Sequence, residues 1–461
     1  MKFKYLTLGS LLLGAGAPAF AQTPPAPVAE VSAPAAANTY TLPQAIEAAL
    51  QNSSDLLNAR LTAESALQDK ILARSVVLPQ LNFNASFGRT RDGGGQVIGT
   101  FTDPTTNTTI TQVAQTQIYG SYTAGLNLSW KVFDGGKWWN NLDAADFAIG
   151  SQNASAEESK LQTTFLVEQA FYALMRAQKQ LTVLTDAAAR SRDQAEFTQK
   201  LFEGGRSSQA DVYAARANRD NDEVNRLTQE ALVESSRFDL ATAMGLDPSQ
   251  PLAVVEPPGL LAEPRTPPAV SSLVEHALST RPSIKAASLQ ADAQRKSVQA
   301  SKGDYLPSVT LNAGYNRASR DFPDIVSDPT QKSSLSGSIN LNWNLFGGFA
   351  TDANVAKAQL QLRQLENTLA AGRRGVASDV EKAWANLVSA RSRTRVAQQA
   401  EDTARESLRL AKTRQQVGVG TQLEVRDAEL KLTQAELARL NALLDGRVQE
   451  AALRRATGDS I

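Results

Sequence analysis

The chain carries the same long pattern twice. Leu78-Pro79 precedes the alternating segment QLNFNASF, and Leu306-Pro307, 228 positions later, precedes SVTLNAGY. The segment LNLSWKVFDGG, which begins at Leu126, is matched by INLNWNLFGG from Ile339, now 213 positions later. The spacing changes by 15 residues within one loop and then stays constant to the end of the chain. A repeated unit of this size with one variable loop predicts two halves of one assembly rather than two independent domains.

The N-terminus has the three parts of a secretory leader. Lys2 and Lys4 are followed by an apolar run that ends at Ala17, and then by Ala19-Phe20-Ala21, an A-x-A cleavage site. We predict a signal peptide over residues 1–21 and a disordered Pro/Ala-rich segment over residues 22–39. Beyond the leader, no run approaches the roughly 20 apolar residues of a membrane helix, so strands must carry any membrane domain.

The composition argues against several classes of function. The 47 basic and 47 acidic residues cancel, which leaves no electrostatic case for a nucleic-acid partner. The chain has no cysteine, and His276 is its only histidine, so thiolate or histidine clusters cannot be built from one chain. We therefore predict no metal site, no cofactor and no enzymatic activity.

Four segments of about ten residues alternate apolar and polar side chains, the period of a β-strand with two different faces. Their apolar positions are Leu81, Phe83, Ala85 and Phe87; Tyr122, Ala124, Leu126, Leu128, Trp130 and Val132; Val309, Leu311, Ala313 and Tyr315; and Leu335, Ile339, Leu341, Trp343 and Leu345. The other face is almost entirely Asn, Ser and Thr, as in the wall of a wet lumen. The length suits a tilted strand that crosses a bilayer, although a soluble sandwich remains the alternative.

Aromatic residues cluster where the predicted hairpins end. This pattern is typical of the aromatic girdle that membrane barrels place at an interface with water. We predict a girdle, in contact with outer-membrane lipid, formed by Trp130, Phe133, Trp138, Trp139, Trp343 and Phe346. The loops at the other end, about 88–121 and 317–334, are rich in Gly, Thr, Asp and Asn and contain the 15-residue difference.

Each copy is otherwise helical. We predict helices over about 41–77, 137–202, 208–244, 349–417 and 421–457, and the two longest would each span roughly 100 Å. The combined length of the first and last helix of a copy matches the length of its long helix. The first repeat thus covers residues 40–246, a Pro-rich equatorial linker covers 247–268, and the second repeat covers 269–458.

Four strands are too few for a closed barrel, because the smallest known barrels have about eight. Unpaired strand edges are not tolerated in lipid. The protomers must therefore pool their strands, and two copies would give eight whereas three would give twelve.

The order of these motifs resembles the TolC family of outer-membrane efflux proteins over about residues 40–458. The resemblance rests on the duplicated unit, on Leu-Pro before each first strand, on FDGG and FGG after each second strand, and on two helical tips. The tips read FEGGRSSQADVYAA from Phe202 and VGVGTQLEVRDA from Val417. The chain departs from the family in two places: it lacks the lipidation cysteine of many members, and Gly420 leaves the second tip without an arginine to lock a closed state.

The resemblance implies a mixed α and β membrane protein. Its expected form is a homotrimer with a 12-stranded transmembrane β-barrel, four strands per protomer, continued by a long periplasmic α-helical barrel. Its expected partners are a periplasmic adaptor protein and an inner-membrane transporter. The implied function is the exit duct of a tripartite efflux or type I secretion system, and a coiled-coil scaffold or adhesin without a pore is the alternative. The sequence does not identify the cargo.

The two tips hold the candidate functional residues. We expect the adaptor to contact Gly204, Gly205, Ser208, Val417, Gly418 and Thr421. Asp211, Glu424 and Asp427 would form acidic rings at a periplasmic constriction if the tips converge. For Asp211 and Glu424 a capping box is an alternative, since each lies three residues after a Ser or Thr at a helix start. Asp427 has no such alternative.

Overall fold

A computed structural model describes residues 38–264, 266–327 and 332–459. The predicted signal peptide and most of the Pro/Ala-rich segment lie outside these residues. The strands are β1 (Asn38–Tyr40), β2 (Gln80–Asp92), β3 (Val97–Thr102), β4 (Thr109–Val113), β5 (Gln117–Phe133), β6 (Leu252–Val254), β7 (Ser308–Ser319) and β8 (Ser333–Asn342). The helices are α1 (Leu42–Asn52), α2 (Ser54–Ser75), α3 (Lys137–Glu203), α4 (Gln209–Ala243), α5 (Val270–Thr280), α6 (Pro282–Lys302), α7 (Phe322–Val326), α8 (Ala350–Gln416) and α9 (Gln422–Thr457).

The four predicted strands form one antiparallel sheet in the order β2-β5-β7-β8. The register keeps the two faces distinct across the whole sheet, because Leu128 pairs with Leu81 and Ala313, whereas Asn127 pairs with Asn82 and Gly314. The apolar side chains of the outer strands β2 and β8 are exposed in the single protomer. The fourth strand is shorter than predicted and ends at Asn342, so Trp343 and Leu345 follow it.

The loop of the first repeat has more structure than the sequence indicated. β2 continues to Asp92 and β5 begins at Gln117, and the hairpin of β3 and β4 fills most of the space between them. The loop predicted over about 88–121 is therefore shorter than expected, and it contains two further strands. The reason is that short Val, Ile, Thr and Phe alternations in this segment pair with each other, which single-strand periodicity underestimates. The second loop contains the short helix α7.

The two longest helices each have 67 residues, and their observed ends lie within two residues of the predicted ones. The first helix of each repeat, in contrast, is divided into two, and this corrects the prediction of one helix over 41–77. The break falls at Ser53 in the first repeat and at Arg281 in the second, and both residues have an extended backbone. Ser53 accepts a hydrogen bond from the backbone of Leu56, and Pro282 lacks the donor needed to continue α5.

Equivalent positions of the two repeats are buried in two matching cores. These pairs are Ala49 and Ala277, Val167 and Val380, Leu174 and Leu387, and Leu240 and Leu453. α3 packs on α2 and α6 at the end near the sheet and on α4 and α9 toward the tips, and α8 packs on α6, α5 and α9. Much of the contact is through alanine, which lets long helices approach closely.

The Pro-rich segment is an ordered strap. β6 within it pairs in parallel with β1, and Leu252 and Leu260 enter the first core. Arg447 of α9 donates hydrogen bonds to the Gly259 and Leu260 carbonyls, and the Trp384 indole donates one to the Pro268 carbonyl at 2.9 Å. These contacts hold the connection between the repeats against α8 and α9.

Candidate gate and docking tips

The first tip is a glycine turn followed by a fully capped helix. α3 ends at Glu203, and Gly205 adopts a φ of +72°, a left-handed conformation that favours glycine. At the start of α4 the Asp211 carboxylate accepts hydrogen bonds from the Ser208 hydroxyl at 2.7 Å, the Ser208 backbone at 3.0 Å and the Ser207 hydroxyl at 3.1 Å. These bonds hold the pKa of Asp211 below its ordinary value, so the carboxylate stays charged. The capping alternative is therefore confirmed for Asp211, and it leaves the charge in place.

The second tip has the same glycine turn, but its acidic side chains have different partners. Gly418 has a φ of +81°, and the Thr421 hydroxyl accepts a hydrogen bond from the Glu424 backbone at 3.2 Å. The Glu424 carboxylate lies 3.5 Å from Arg414 Nε, in an ion pair that the sequence did not suggest. Asp427 accepts a hydrogen bond from Lys431 at 2.6 Å, one helical turn further along. Each acid of this tip therefore has a cation beside it, which weakens the field that a ring of carboxylates would produce.

The structure brings two of the three candidate gate residues together. Glu424 and Asp427 line one groove of about 790 Å³ between α8 and α9, together with Asp402, Glu406 and Arg414. Asp211 lies on the other tip and does not line this groove. The groove is lined by four acids and one arginine, and Lys431 and Arg409 pair with two of those acids from outside it.

The end of the second tip is apolar and open to solvent. The exposed fractions of Val417, Val419 and Leu423 are 68%, 67% and 77%. The first tip exposes Phe202 and Tyr213. Apolar side chains at this exposure are suited to a protein contact. Of these five, only Val417 was a predicted docking residue.

Sequence reasoning missed a buried ion pair above the tips. Arg426 of α9 donates two hydrogen bonds to the Asp222 carboxylate of α4, at 2.7 and 3.1 Å. Their side chains are only 16% and 11% exposed. The pair lines a cavity of about 420 Å³ together with Arg190, Gln229 and Glu429. The two residues are 204 positions apart, and no local signal links them.

Glu429 occupies the same cavity and is almost completely buried. Its nearest cation is Lys412 of α8, at 3.4 Å. Burial raises the pKa of Glu429, and the charges of Lys412, Arg426 and Arg190 oppose that effect.

A seam of polar pairs joins the two repeats along α3 and α9. Its members are Glu168 with Arg454 at 2.6 Å, Arg176 with Asp445 at 2.5 Å, Gln180 with Asn441 at 2.9 Å, and Arg190 with Thr433 at 2.9 Å. The second helix pair, α8 and α9, combines the apolar cluster of Leu408, Val425 and Leu432 with ion pairs such as Lys412 with Glu429. The repeats are thus held together along the helices by hydrogen bonds and charge, and also by the first core, which Leu440 and Leu444 of α9 share with α3.

The predicted girdle residues all lie where the strands give way to the long helices. The Trp130 indole donates to the Val77 carbonyl at 2.8 Å, and the Trp343 indole donates to the Tyr305 carbonyl at 3.0 Å. Phe133 ends β5, whereas Trp138 and Trp139 stack on each other at the start of α3. Phe346 packs edge-on against Phe349. The Trp130 and Trp343 indoles thus each have a polar partner and an exposed ring, as a residue at a membrane interface needs.

Among the residues that the structure describes, no helix is both long and apolar enough to cross a membrane. The paired long helices, the sheet with its exposed apolar face and the two tips together define a channel protein of the outer membrane. A family model described as "Outer membrane efflux protein" matches residues 45–246 and 273–459. The chain belongs to this family.

Individual relatives agree with this assignment. The outer membrane protein TolC of Vibrio cholerae is 25% identical over 411 residues, which cover 89% of each chain. The pyoverdine export outer membrane protein OpmQ of Pseudomonas putida is 26% identical and covers 90% of this chain and 85% of its own. A crystal structure of CusC superposes with a TM-score of 0.78 at 20% identity, over 91% of this chain and 92% of that one. The chain is therefore an outer-membrane channel of the efflux and secretion type.

Proposed function

We propose that three copies of this chain form one duct, with a 12-stranded barrel in the outer membrane and an α-helical barrel in the periplasm. The observation that carries the proposal is that β2 and β8 are both open edges of a sheet whose apolar face is exposed. Such edges are not tolerated in lipid, so each must pair with another chain. Four strands per copy make twelve with threefold symmetry, the form to which the family resemblance points.

In this assembly the duplicated repeats, residues 40–246 and 269–458, stand side by side around the axis, and the strap over 247–268 lies at the waist. A signal peptide over residues 1–21 would direct export. The apolar side chains Val417, Val419 and Leu423 would meet a periplasmic adaptor, which in turn would join an inner-membrane transporter. Cargo would enter past Asp211, Glu424 and Asp427, whose carboxylates favour cations. The coiled-coil scaffold without a pore is the competing function.

Cysteine crosslinking tests the proposed barrel, and the native chain has no cysteine to interfere. Ala85→Cys in β2 is combined in turn with Leu335→Cys, Gly337→Cys and Ile339→Cys in β8. Oxidation in outer membranes should give covalent dimers and trimers and nothing larger. Leu126→Cys in the interior strand β5, combined with the same β8 positions, should remain monomeric on denaturing gels. Oligomers that grow beyond three, or no crosslink at any register, would contradict the trimer.

A conductance measurement separates the duct from the scaffold. Purified trimers should produce discrete current steps in planar bilayers. A crosslinked trimer that inserts but carries no current would support the scaffold.

A further inference from the structure

The charged side chains on the polar face of the sheet stand at its two ends, Asp92 at the loop end of β2 and Lys131 at the inner end of β5. In the rows between Ser86 and Lys131, every other residue on this face is Asn, Gln, Ser, Thr, Gly or Ala. Lys131 pairs across the sheet with Thr310, and Thr310 pairs with Asn340, so the register places Lys131 in a row with two neutral side chains. Trp130 lies on the apolar face and Ser129 on the polar face, so the alternation along β5 places Lys131 on the polar face.

Lys131 is exposed, and among the described residues no carboxylate forms an ion pair with it. The next lysine, Lys137, illustrates the contrast, because it pairs with Asp304 where α3 begins. The position equivalent to Lys131 in the second repeat is Asn344, so the repeated fold does not require a cation here. An uncompensated lysine among neutral side chains makes a local positive potential, which neither Thr310 nor Asn340 in its row of the sheet cancels.

We propose that Lys131 forms an anion-attracting ring at the inner end of the strand barrel, which takes carboxylate- or phosphate-bearing solutes. This rests on the proposed threefold duct, in which the polar face lines the lumen and symmetry supplies three copies of Lys131. Rings of Lys or Arg select for anions in pores, as rings of acids select for cations. The duct would then carry two selectivity elements of opposite sign, an acidic one at the tips and a basic one where the strands end.

Current block by a multivalent anion tests the ring. Trimers in planar bilayers receive tripolyphosphate, or citrate as the carboxylate probe, on the side of the extracellular loops. Both should block the wild-type current at low salt and lose potency as salt rises, because the Debye length falls from about 30 Å at 0.01 M to about 10 Å at 0.1 M. Lys131→Gln should raise the half-blocking concentration about tenfold, whereas Lys131→Arg should keep it.

Asn340 supplies matched variants in the same row. Asn340→Lys adds a second cation and should lower the half-blocking concentration, and Asn340→Gln should leave it unchanged. Equal block of the wild type, Lys131→Gln and Asn340→Lys would overturn the ring and leave the duct intact, whereas a wild type without any conductance would overturn the duct itself. If Lys131→Gln instead impairs insertion into anionic lipid without changing the block, Lys131 binds headgroup phosphate and the ring is wrong.

Discussion

Arg426 on α9 holds the Asp222 carboxylate on α4 through two parallel hydrogen bonds, the geometry in which guanidinium and carboxylate interact most strongly. This contact ties the helix pair of one repeat to that of the other just above the tips. The neighbouring cavity and the buried Glu429 show that the surroundings are polar and largely shielded from solvent. The pair is thus the last strong connection between the repeats before the open end.

Breaking this pair should destabilise the tip end of the helices. Asp222→Ala leaves the guanidinium buried without its partner and should cost about 2–3 kcal/mol of unfolding free energy, slightly less than a fully buried pair. Thermal unfolding of the helical signal measures the loss. Asp220→Ala removes an exposed pair with Arg219 and should change stability by less than about 0.5 kcal/mol. If the Asp222→Ala and Arg426→Ala effects simply add in the double variant, the two residues are not coupled.

The acidic tips should favour cations. The triple variant Asp211→Asn, Glu424→Gln, Asp427→Asn keeps size and much of the capping but removes three charges per protomer. Reversal potentials in a salt gradient should show cation preference in the wild type and its loss in the variant. Glu47→Gln, an exposed acid on α1, is the control and should behave as wild type. An unchanged ion preference in the triple variant would mean that the acids act only as caps and ion-pair partners.

Neighbouring positions on β8 should respond oppositely to the same side chain. Leu341 lies on the apolar face, so Leu341→Arg should cost about 2–4 kcal/mol near the middle of the bilayer and reduce outer-membrane insertion. Asn340→Arg places the same charge on the polar face and should insert normally with altered conductance. Membrane fractionation and single-channel recording measure the two effects. Equal insertion of both variants would show that the alternation of the two faces has been assigned wrongly.

The burial of Glu429 predicts an unusual pH dependence of the folding stability. Because burial raises its pKa above the ordinary value near 4.5, the charged form is disfavoured in the folded state, and stability falls as pH rises from that value through the folded pKa. Glu429→Gln should remove this loss and be at least as stable as the wild type at pH 7, with the advantage shrinking toward pH 4. Denaturant unfolding of both proteins at pH 7 and pH 4 measures this difference in the free energy of unfolding.

Glu406 is the matched control, since the Arg409 hydrogen bond lowers its pKa. Its stabilising contribution is present above the ordinary pKa and is lost as pH falls through the folded value. Glu406→Gln should therefore be less stable than the wild type at neutral pH and converge with it in acid. The same pH response in both variants would show that burial is not the cause at Glu429.

Regular features of this fold were predictable because they depend on local pattern. The long helices end at glycine turns and the strands alternate, so their positions follow from neighbouring residues. The breaks at Ser53 and Arg281 also have local causes, since Ser53 caps α2 and Pro282 cannot continue α5, so their signal was present in the sequence although the prediction of one helix over 41–77 passed over it. The hairpin of β3 and β4 depends on pairing between two weak segments.

At the two tips, too, some features follow from the local sequence and others depend on tertiary contacts. The hydroxyl caps at Ser208 and Thr421 could be predicted from a three-residue spacing, whereas Arg414 beside Glu424 required the turn to fold back. Asp222 and Arg426 come from different repeats and meet only after both helix pairs have packed. Local pattern thus locates the tips, and tertiary contact determines which of their charges are compensated.

The two ends of the molecule join the repeats by different bonds. Near the membrane, β5 and β7 share a backbone ladder, whereas α3 and α9 share the first core, through Leu440 and Leu444, together with the side-chain pairs of the seam. A backbone ladder is short-ranged and barely sensitive to salt, but exposed ion pairs weaken with ionic strength. The link between the repeats is therefore least sensitive to salt at the sheet and becomes more sensitive toward the tips, where polar pairs such as Arg190 with Glu436 continue beyond the shared core.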